Sequence, residues 1–459
     1  MAWIHNAIIL PLLEPERHRG LVRRLRKIER FESLSSDEQR QFQEKKLRSI
    51  LQHAYQTTPY YRRLFDDKGF HPTAWRLGRP LPVPVLTRDL LRVNGDDLRS
   101  RAFPDAMLRK ATTGGTTSAP VAIWRDVEGL RDKTAMQYHL NRYSGFDQGT
   151  SVLTIWGAER DLTLNPGWKW RLYEQRLMRR YNAGAGQLSE AVLASFAEKL
   201  NRYRPRIIFG YAATIGIFAD YLLSLNRPFH KPSRLIVTAE PITPEIHEKL
   251  ERTFECPVTE HYGSRDIGMV AAQCDEGHRL HFHPAACYVE LIDSGQTTEG
   301  PMYRLVITDL LNRGMPMIRY DTDDCVLVED TPCACGSWFP SVKTVLGRAV
   351  DNFPLPDGSF VTGIAVTAAV ARIREGFLHV RQIQLIQKGI LHLHLRYVAE
   401  GELIDILAEL KRFREEVEKL FQVQMRWTTE RVTEIRRERS GKIRFCISEV
   451  SAPGRPVAV

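Results

Sequence analysis

The run Thr112-Thr113-Gly114-Gly115-Thr116-Thr117-Ser118-Ala119-Pro120 gathers four threonines, a serine and two glycines into nine positions. Glycine lets backbone N–H groups turn toward a ligand and leaves room for close approach, and the hydroxyls add further donors. Such a loop suits an anion with many oxygens, a nucleotide triphosphate first among them. No Gly-Lys-Ser/Thr closes the run, so it is not the Walker pattern. An ordinary surface loop is the alternative.

Three more segments carry groups able to do chemistry. His261-Tyr262-Gly263-Ser264-Arg265-Asp266 offers an aromatic face and a carboxylate. Arg319-Tyr320-Asp321-Thr322-Asp323-Asp324 is acidic, and Gly347-Arg348-Ala349-Val350-Asp351 follows it. Ser440-Gly441-Lys442-Ile443-Arg444 puts a lysine on a glycine-assisted turn near the carboxyl end. Each has a plain reading too. Tyr262 can be a core aromatic, Asp324 part of a solvated turn, Asp266 half of a surface ion pair and Lys442 one more surface cation.

The cysteines divide into two sets. Cys256, Cys287, Cys325 and Cys446 lie in strand-like contexts and read as small hydrophobes. Cys274, Cys333 and Cys335 lie near His278, His281 and His283. Three thiolates and one imidazole make a closed tetrahedral zinc set. Reduced buried thiols are the competing reading. Four protein ligands would leave no open position, so such a zinc is structural.

These residues need elements to hold them. Ser35 and Ser36, followed by Glu38 and Gln39, are capping-box candidates for a helix with Leu47, Ile50, Leu51, Ala54 and Tyr55 at helical spacing. Pro59 stops that helix, and Thr87 caps another beyond Pro82 and Pro84. From Ala111 onward, short β-like runs (Val152 to Ile155, Arg206 to Phe209, Leu235 to Thr238, Leu305 to Thr308) alternate with helical stretches such as Ser189 to Leu200. That alternation predicts an α/β core with a largely parallel sheet. Gly157, Gly210, Ala239-Glu240-Pro241 and Gly263 follow strands, at the ends where open α/β sheets bind ligands.

Composition shifts near Leu346-Gly347-Arg348. Beyond a Pro354/Pro356/Asp357/Gly358 turn cluster, two strands (Val380 to Gln387, Ile390 to Tyr397), a helix (Leu403 to Phe421) and a strand (Val423 to Thr429) predict a small α+β domain. Its helix places Leu403, Ile406, Leu407, Leu410, Phe413, Val417 and Leu420 on one expected apolar face. The boundaries are 1–347 for a large multi-layer N-terminal domain and 348–459 for the C-terminal domain.

The 459 residues carry a formal net charge of +10, which attracts polyanions such as ATP, coenzyme A and nucleic acid. No zinc-finger spacing or RNA-binding aromatic signature accompanies the basic clusters, so no nucleic-acid partner is expected. A basic nucleic-acid binder, with salt-sensitive affinity, is the weakest reading. No long apolar run suggests a membrane span, although a surface contact by Ala7 to Leu13 and the Arg17 to Arg30 cluster stays open. Seven scattered cysteines fit a reducing cytoplasm better than a disulfide scaffold.

Taken in order, the Thr113–Pro120, His261–Asp266, Arg319–Asp324 with Gly347–Asp351, and Ser440–Arg444 segments resemble the adenylate-forming superfamily of acyl-CoA synthetases and adenylation domains. His53-Ala54-Tyr55, Pro59-Tyr60-Tyr61 and Leu81 to Arg88 make the chain most similar to the phenylacetate–CoA ligase branch and its capsular-polysaccharide-cluster relatives. The same branch often shows a cysteine, a Leu-His segment and a Cys-x-Cys-Gly turn, the order of Cys274, Leu280-His281 and Cys333-Ala334-Cys335-Gly336, and so the resemblance implies Cys274, His281, Cys333 and Cys335 as the zinc ligands.

The resemblance implies a hinge near Asp351, a mobile C-terminal lid and two half-reactions. A carboxylate, an aryl or arylacetic acid by analogy, attacks the α-phosphorus of MgATP; coenzyme A then takes the acyl group. A separate carrier-protein thiol or an amine is an alternative acceptor. It implies that Thr113, Gly114, Gly115, Thr116, Thr117 and Ser118 hold the β- and γ-phosphates. Ala239, Glu240 and Pro241 line the adenine, and Tyr262 lies on its face, beside His261, Gly263 and Ser264. Asp266 holds Mg²⁺, Asp324 accepts the ribose hydroxyls, Arg348 faces phosphate or ribose, and Lys442 neutralises charge during transfer. Tyr211, Ala212 and Ala213 begin the acyl pocket, with Gly263 and Met269 as another wall.

The chain departs from the family pattern at four places. Ser118 stands for glycine, Ala119 for a frequent lysine, Asp266 for glutamate, and Asp323 for the glycine of a Thr-Gly-Asp pattern. These departures motivate a further alternative, a nucleotide binder that has lost catalysis.

Overall fold

The computed structural model describes residues 4, 7–8, 10–13, 15–112, 121–156, 175–176, 178–184, 190–297, 300–348, 353–357, 360–361, 363, 366, 377–435 and 445–450. Helices come first: α1 (Leu21–Glu32), α2 (Ser36–Thr57), α3 (Pro59–Asp67) and α4 (Arg88–Val93). The capping box forms with Ser35 as N-cap: its backbone N–H donates to Glu38 at 2.9 Å, while its hydroxyl accepts from the Glu38 N–H. Pro59 does more than stop α2. Proline lacks a backbone N–H but fits the first helical turn, so α3 starts there, with Thr58 ending one helix and preceding the next. Thr87 caps α4 through the Leu90 N–H.

The antiparallel hairpin β1 (Leu108–Thr112) and β2 (Ala122–Asp126) pairs Thr112 with Ala122. Residues 113–120 therefore connect the two strands at its tip. Helix α5 (Val127–Tyr143) starts directly from β2, with Asp126 accepting from the Gly129 N–H at 2.7 Å.

The large sheet contains β3 (Val152–Trp156), β4 (Arg180–Gly184), β5 (Ile207–Tyr211), β6 (Arg234–Thr238), β7 (Val258–Ser264), β8 (Gly268–Gln273) and β9 (Leu280–Phe282). Its order is β4-β3-β5-β6-β7-β8-β9, closed by a short strand described below. From β4 to β7 all neighbours are parallel, as the strand–helix alternation predicts. Helices α6 (Glu190–Tyr203), α7 (Ala212–Ser224) and α8 (Pro244–Phe254) cover one face. Strand period 2 sends Leu153, Ile155, Ile208, Leu235 and Val237 into that layer, while Val152, Ile207 and Ile236 pack with Phe146 on the other face. The β3/β5 spacing leaves no side-chain room at Gly210, where a Cβ would lie 2.2 Å from the Ile155 carbonyl oxygen.

Beyond β7 the pairing becomes antiparallel. β10 (Cys287–Thr297), β11 (Gly300–Asp309), β12 (Tyr320–Leu327) and β14 (Thr344–Arg348) form a second sheet, all antiparallel. Leu305 to Thr308 is thus a strand, but of this sheet. β13 (Ser341–Val342) closes the large sheet against β9.

In the C-terminal region, β15 (Phe353–Pro354) pairs with β16 (Phe360–Val361). β17 (Val380–Gly389), β18 (His392–Ala399), β19 (Arg426–Arg431) and β20 (Cys446–Ser448) form a four-stranded sheet with α9 (Leu403–Phe421). This region has its own core around Leu385, Leu393, Ile406, Phe413, Val417 and Phe421. The expected helix face differs at its start. Leu403 and Leu407 are exposed at 60% and 54%, and Glu409 is buried. The Glu409 carboxylate accepts from the Leu378, His379 and Val380 N–H groups, which would otherwise be orphaned at the start of β17. The helix turns toward that polar contact and away from Leu403.

Candidate functional site

The carboxyl ends of β5, β6 and β7 end side by side. The chain reaches outward from β3 to β4 and returns on the opposite side of β3 as β5, which makes the β3/β5 boundary the switch point where open α/β sheets bind ligands. Trp156 and Tyr211 meet there, ring centroids 4.7 Å apart. Trp156 escaped the sequence reading because only the strand order gives it a place. Tyr211 precedes α7. Ala212 is fully buried in the helix-layer core and so is no pocket wall, whereas Ala213 is partly exposed.

The segment after β6 reaches the same place. Ala239 holds φ +70°, a left-handed conformation uncommon outside glycine. Glu240 then turns back, and its carboxylate accepts from the Ala213 N–H at 3.0 Å. One carboxylate therefore ties the expected adenine segment to the N-terminus of α7. Pro241 is exposed beside it.

Strand β7 brings in Tyr262. A register shift against β8 falls between Tyr262 and Gly263. A Cβ on Gly263 would lie 2.7 Å from the Cα of Met269, so the bulge requires glycine and sets Met269 against it. Tyr262 packs edge-on against Phe282, and its hydroxyl donates to Asp324 Oδ2 at 2.6 Å. Burial and the adjacent carboxylate hold this phenol far above its ordinary pKa, so it remains a donor. Asp324 lies directly across from Arg348 in the β12–β14 ladder. The Arg348 side chain lies outside the described residues, as do Lys442 and Thr113 to Ser118.

His261 points elsewhere. Its Nε2 pairs with Ser144 Oγ at 2.8 Å inside the protein, and burial pushes its pKa down to about 3. Its ring is a neutral core group, which corrects the expectation of a nucleotide contact. Ser264 accepts from the Asp266 N–H at 3.2 Å and shapes the turn.

Asp266 also differs from expectation. It is 2% exposed, and its Oδ2 accepts from Tyr320 at 2.6 Å and Arg88 at 3.2 Å. A carboxylate already enclosed and neutralised by a guanidinium does not fit a largely hydrated Mg²⁺. Arg88 arrives because Leu86 bridges to Tyr320, its N–H donating to the Arg319 carbonyl at 2.8 Å. Two further cations hold the same turn from behind. Arg125 of β2 donates to the Arg265 carbonyl, and buried Lys133 of α5 donates to the Ile267 carbonyl and pairs with Asp309. Sequence spacing gave no sign of this convergence.

Asp323, the residue replacing a family glycine, has φ +63°. Its N–H donates to Asp321 Oδ1 at 3.0 Å. Aspartate tolerates this region better than most residues, so the departure keeps the turn.

Away from the cleft, Cys274, His281, Cys333 and Cys335 come together with all four ligand atoms within 4.8 Å of one another. Cys274 and Cys333 sulfurs are 3.5 Å apart, and Cys335 Sγ lies 3.4 Å from His281 Nε2. His281 Nδ1 faces the Phe339 carbonyl at 3.3 Å, which leaves Nε2 toward the thiols. Gly277 leaves the space, since a Cβ there would lie 2.3 Å from Cys333 Sγ. The donor set and cradle fit a structural zinc. Cys256, Cys287, Cys325 and Cys446 are buried and unbridged, as small hydrophobes should be.

Comparison with known proteins gives a consistent picture. Residues 354–449 match the CapK C-terminal domain. Protein CapK of Staphylococcus aureus is 22% identical over 80% of each chain. Phenylacetate-coenzyme A ligase of Thermus thermophilus is 25% identical over 70% of this chain and 73% of its own. A 2-hydroxyisobutyryl-CoA ligase, solved in the postadenylation state with R3-HIB-AMP, superposes with TM-score 0.71 at 16% identity, covering 91% of both chains. No helix among the described residues is long and apolar enough to cross a membrane.

Proposed function

We propose that this phenylacetate–CoA ligase-like chain of the adenylate-forming family activates a carboxylic acid as its acyl-adenylate with ATP, releasing pyrophosphate, and passes the acyl group to coenzyme A. The observation that carries the reading is the 2.6 Å contact between Tyr262 and Asp324, beside the ends of β5 and β6. It joins residues far apart in sequence at the strand ends where a nucleotide is proposed to sit.

In this reading Tyr262 presents its ring to adenine, and its hydroxyl orients Asp324 so that the remaining carboxylate lone pairs face the ribose hydroxyls. The hairpin tip at 113–120 takes the phosphates through N–H and hydroxyl donors. Lys442 and Arg348 supply positive charge as the α-phosphoryl group transfers; catalysis is positioning plus charge stabilisation. The acid, an aromatic one, lies near Tyr211, Ala213 and Met269, with Trp156 supplying a flat apolar wall. Mg²⁺ accompanies ATP, but no step is assigned through Asp266. Cys274, His281, Cys333 and Cys335 hold one structural zinc that pins the β8–β9 turn to the 333–336 turn. The protein acts in the cytoplasm.

Carboxylate-dependent ATP–pyrophosphate exchange over a panel of acids tests the first half-reaction. Mass spectrometry of products formed with coenzyme A, a carrier protein or an amine then identifies the acceptor. The closed Arg88–Asp266 pair favours one competing reading, a nucleotide-binding relative without catalysis. ATP binding with no exchange for any acid would select it.

A further inference from the structure

We propose that Glu32, His139 and His283 form a separate site for a divalent first-row transition metal of the zinc class. Glu32 ends α1, His139 lies one turn before the end of α5, and His283 follows β9. Three elements distant in sequence thus aim one donor each at a common point. His139 Nε2 is 2.8 Å and His283 Nε2 3.3 Å from Glu32 Oε1. The three ligand atoms all lie within 4.8 Å of one another, close to the separations around a tetrahedral ion with bonds of about 2.0–2.2 Å. The two imidazole rings stand perpendicular, 5.7 Å between centroids, so both can face one ion without stacking.

Burial strengthens the case. His139 and His283 are 4% and 1% exposed, and the fully enclosed His283 Nε2 has only the Glu32 carboxylate at 3.3 Å before it, without hydrogen-bond geometry. Such a nitrogen normally has a partner. Two imidazoles and a carboxylate suit zinc, and three protein ligands leave a fourth position. Tyr143, whose hydroxyl bonds Glu32 and lies 3.3 Å from His139 Nε2, borders that position. The Glu32 side chain keeps 27% exposure, which gives the ion a way in. One contact is given up. The Ala285 N–H donates to His283 Nδ1 at 3.2 Å, and a metal on Nε2 moves the imidazole proton to Nδ1. The Ala285 N–H then loses its acceptor, a cost that the bonds to the ion must exceed.

The test uses the full chain, stripped with chelator and titrated with Zn²⁺. Cys333→Ser/Cys335→Ser disables the thiolate set. In that background a single equivalent should still bind, and Glu32→Gln or His139→Gln should weaken it at least tenfold. With Co²⁺ the same background should show d–d absorption without thiolate charge transfer. No binding in that background, or binding unchanged by both substitutions, overturns the site. If the double-cysteine variant does not fold, Glu32→Gln alone decides. Elemental analysis should show one equivalent less zinc than the parent chain after loading, and unchanged content overturns the site. Glutamine keeps the shape of Glu32 and its hydrogen-bond acceptor, so folding is preserved. None of these readouts depends on ligase activity.

Discussion

Asp324, the proposed acceptor for the ribose hydroxyls, makes a sharp prediction. Asp324→Asn keeps the shape and an acceptor for Tyr262 but removes the charge. Loss of charge-assisted hydrogen bonds costs about 1.5–3 kcal/mol, so the KM for ATP should rise by about tenfold to a hundredfold while the melting curve stays close to that of the parent. A second residue makes a pH prediction. Glu260 lies two positions before Tyr262, and burial pushes its carboxyl up to about 7 from its ordinary value of 4.5. Below pH 4.5 the carboxyl is protonated in both states and costs nothing. Between 4.5 and 7 the unfolded chain loses the proton while the folded chain keeps it, so stability falls as pH rises. The loss levels off above 7, at up to about 3 kcal/mol. Urea titrations of Glu260→Gln should lack this slope and show higher stability than the parent at pH 8. At this scale the sequence was only partly readable. Tyr262 and Asp324 stood out in short motifs. Arg88, Arg125 and Trp156 did not, because an arginine or tryptophan acquires its role only from the segment opposite it. Even Asp266 was read correctly as an acid and wrongly as open to a metal, since its partner Arg88 is supplied by the start of α4, far upstream.

Among elements, α9 shows where periodicity stops short. Its 3.6-residue pattern gave the helix its full span, yet Leu403 and Leu407 face outward because Glu409 is drawn in to three backbone N–H groups. Hydrophobic spacing cannot register a polar anchor on the same face. Ile406→Ala should therefore cost about 2–5 kcal/mol, while Leu407→Ser should stay within about 0.5 kcal/mol. Chemical denaturation of the two variants separates them, and an equal cost would restore the simple apolar-face reading. The parallel half of the large sheet was legible from alternating strands and helices, and the Ser35 capping box and the Thr87 cap from local chemistry. The second, antiparallel sheet was not. Leu305 to Thr308 looks like any buried strand, and only its long pairing with β10 and β12 reveals which sheet it joins.

For the whole molecule, the cysteine–histidine set gives the broadest prediction. Ligands from the β8–β9 turn and the 333–336 turn converge there, so zinc bound only to the folded chain adds stability by mass action. Prolonged chelation should lower the melting temperature, and added Zn²⁺ should restore it; an unchanged melt would argue against a structural ion. The order of the motifs along the chain pointed to one crevice; the strand order puts Tyr211, Ala239 and Tyr262 on or just beyond neighbouring strands, and the Tyr262 hydroxyl holds Asp324 beside them.

The grip of Arg125 on the Arg265 carbonyl has one more consequence. The β1–β2 hairpin and the turn that carries Asp266 are riveted together as one stiff jaw. Tension applied at either rim reaches the other directly, so the triphosphate of the proposed nucleotide and the wall behind it should loosen or tighten in step.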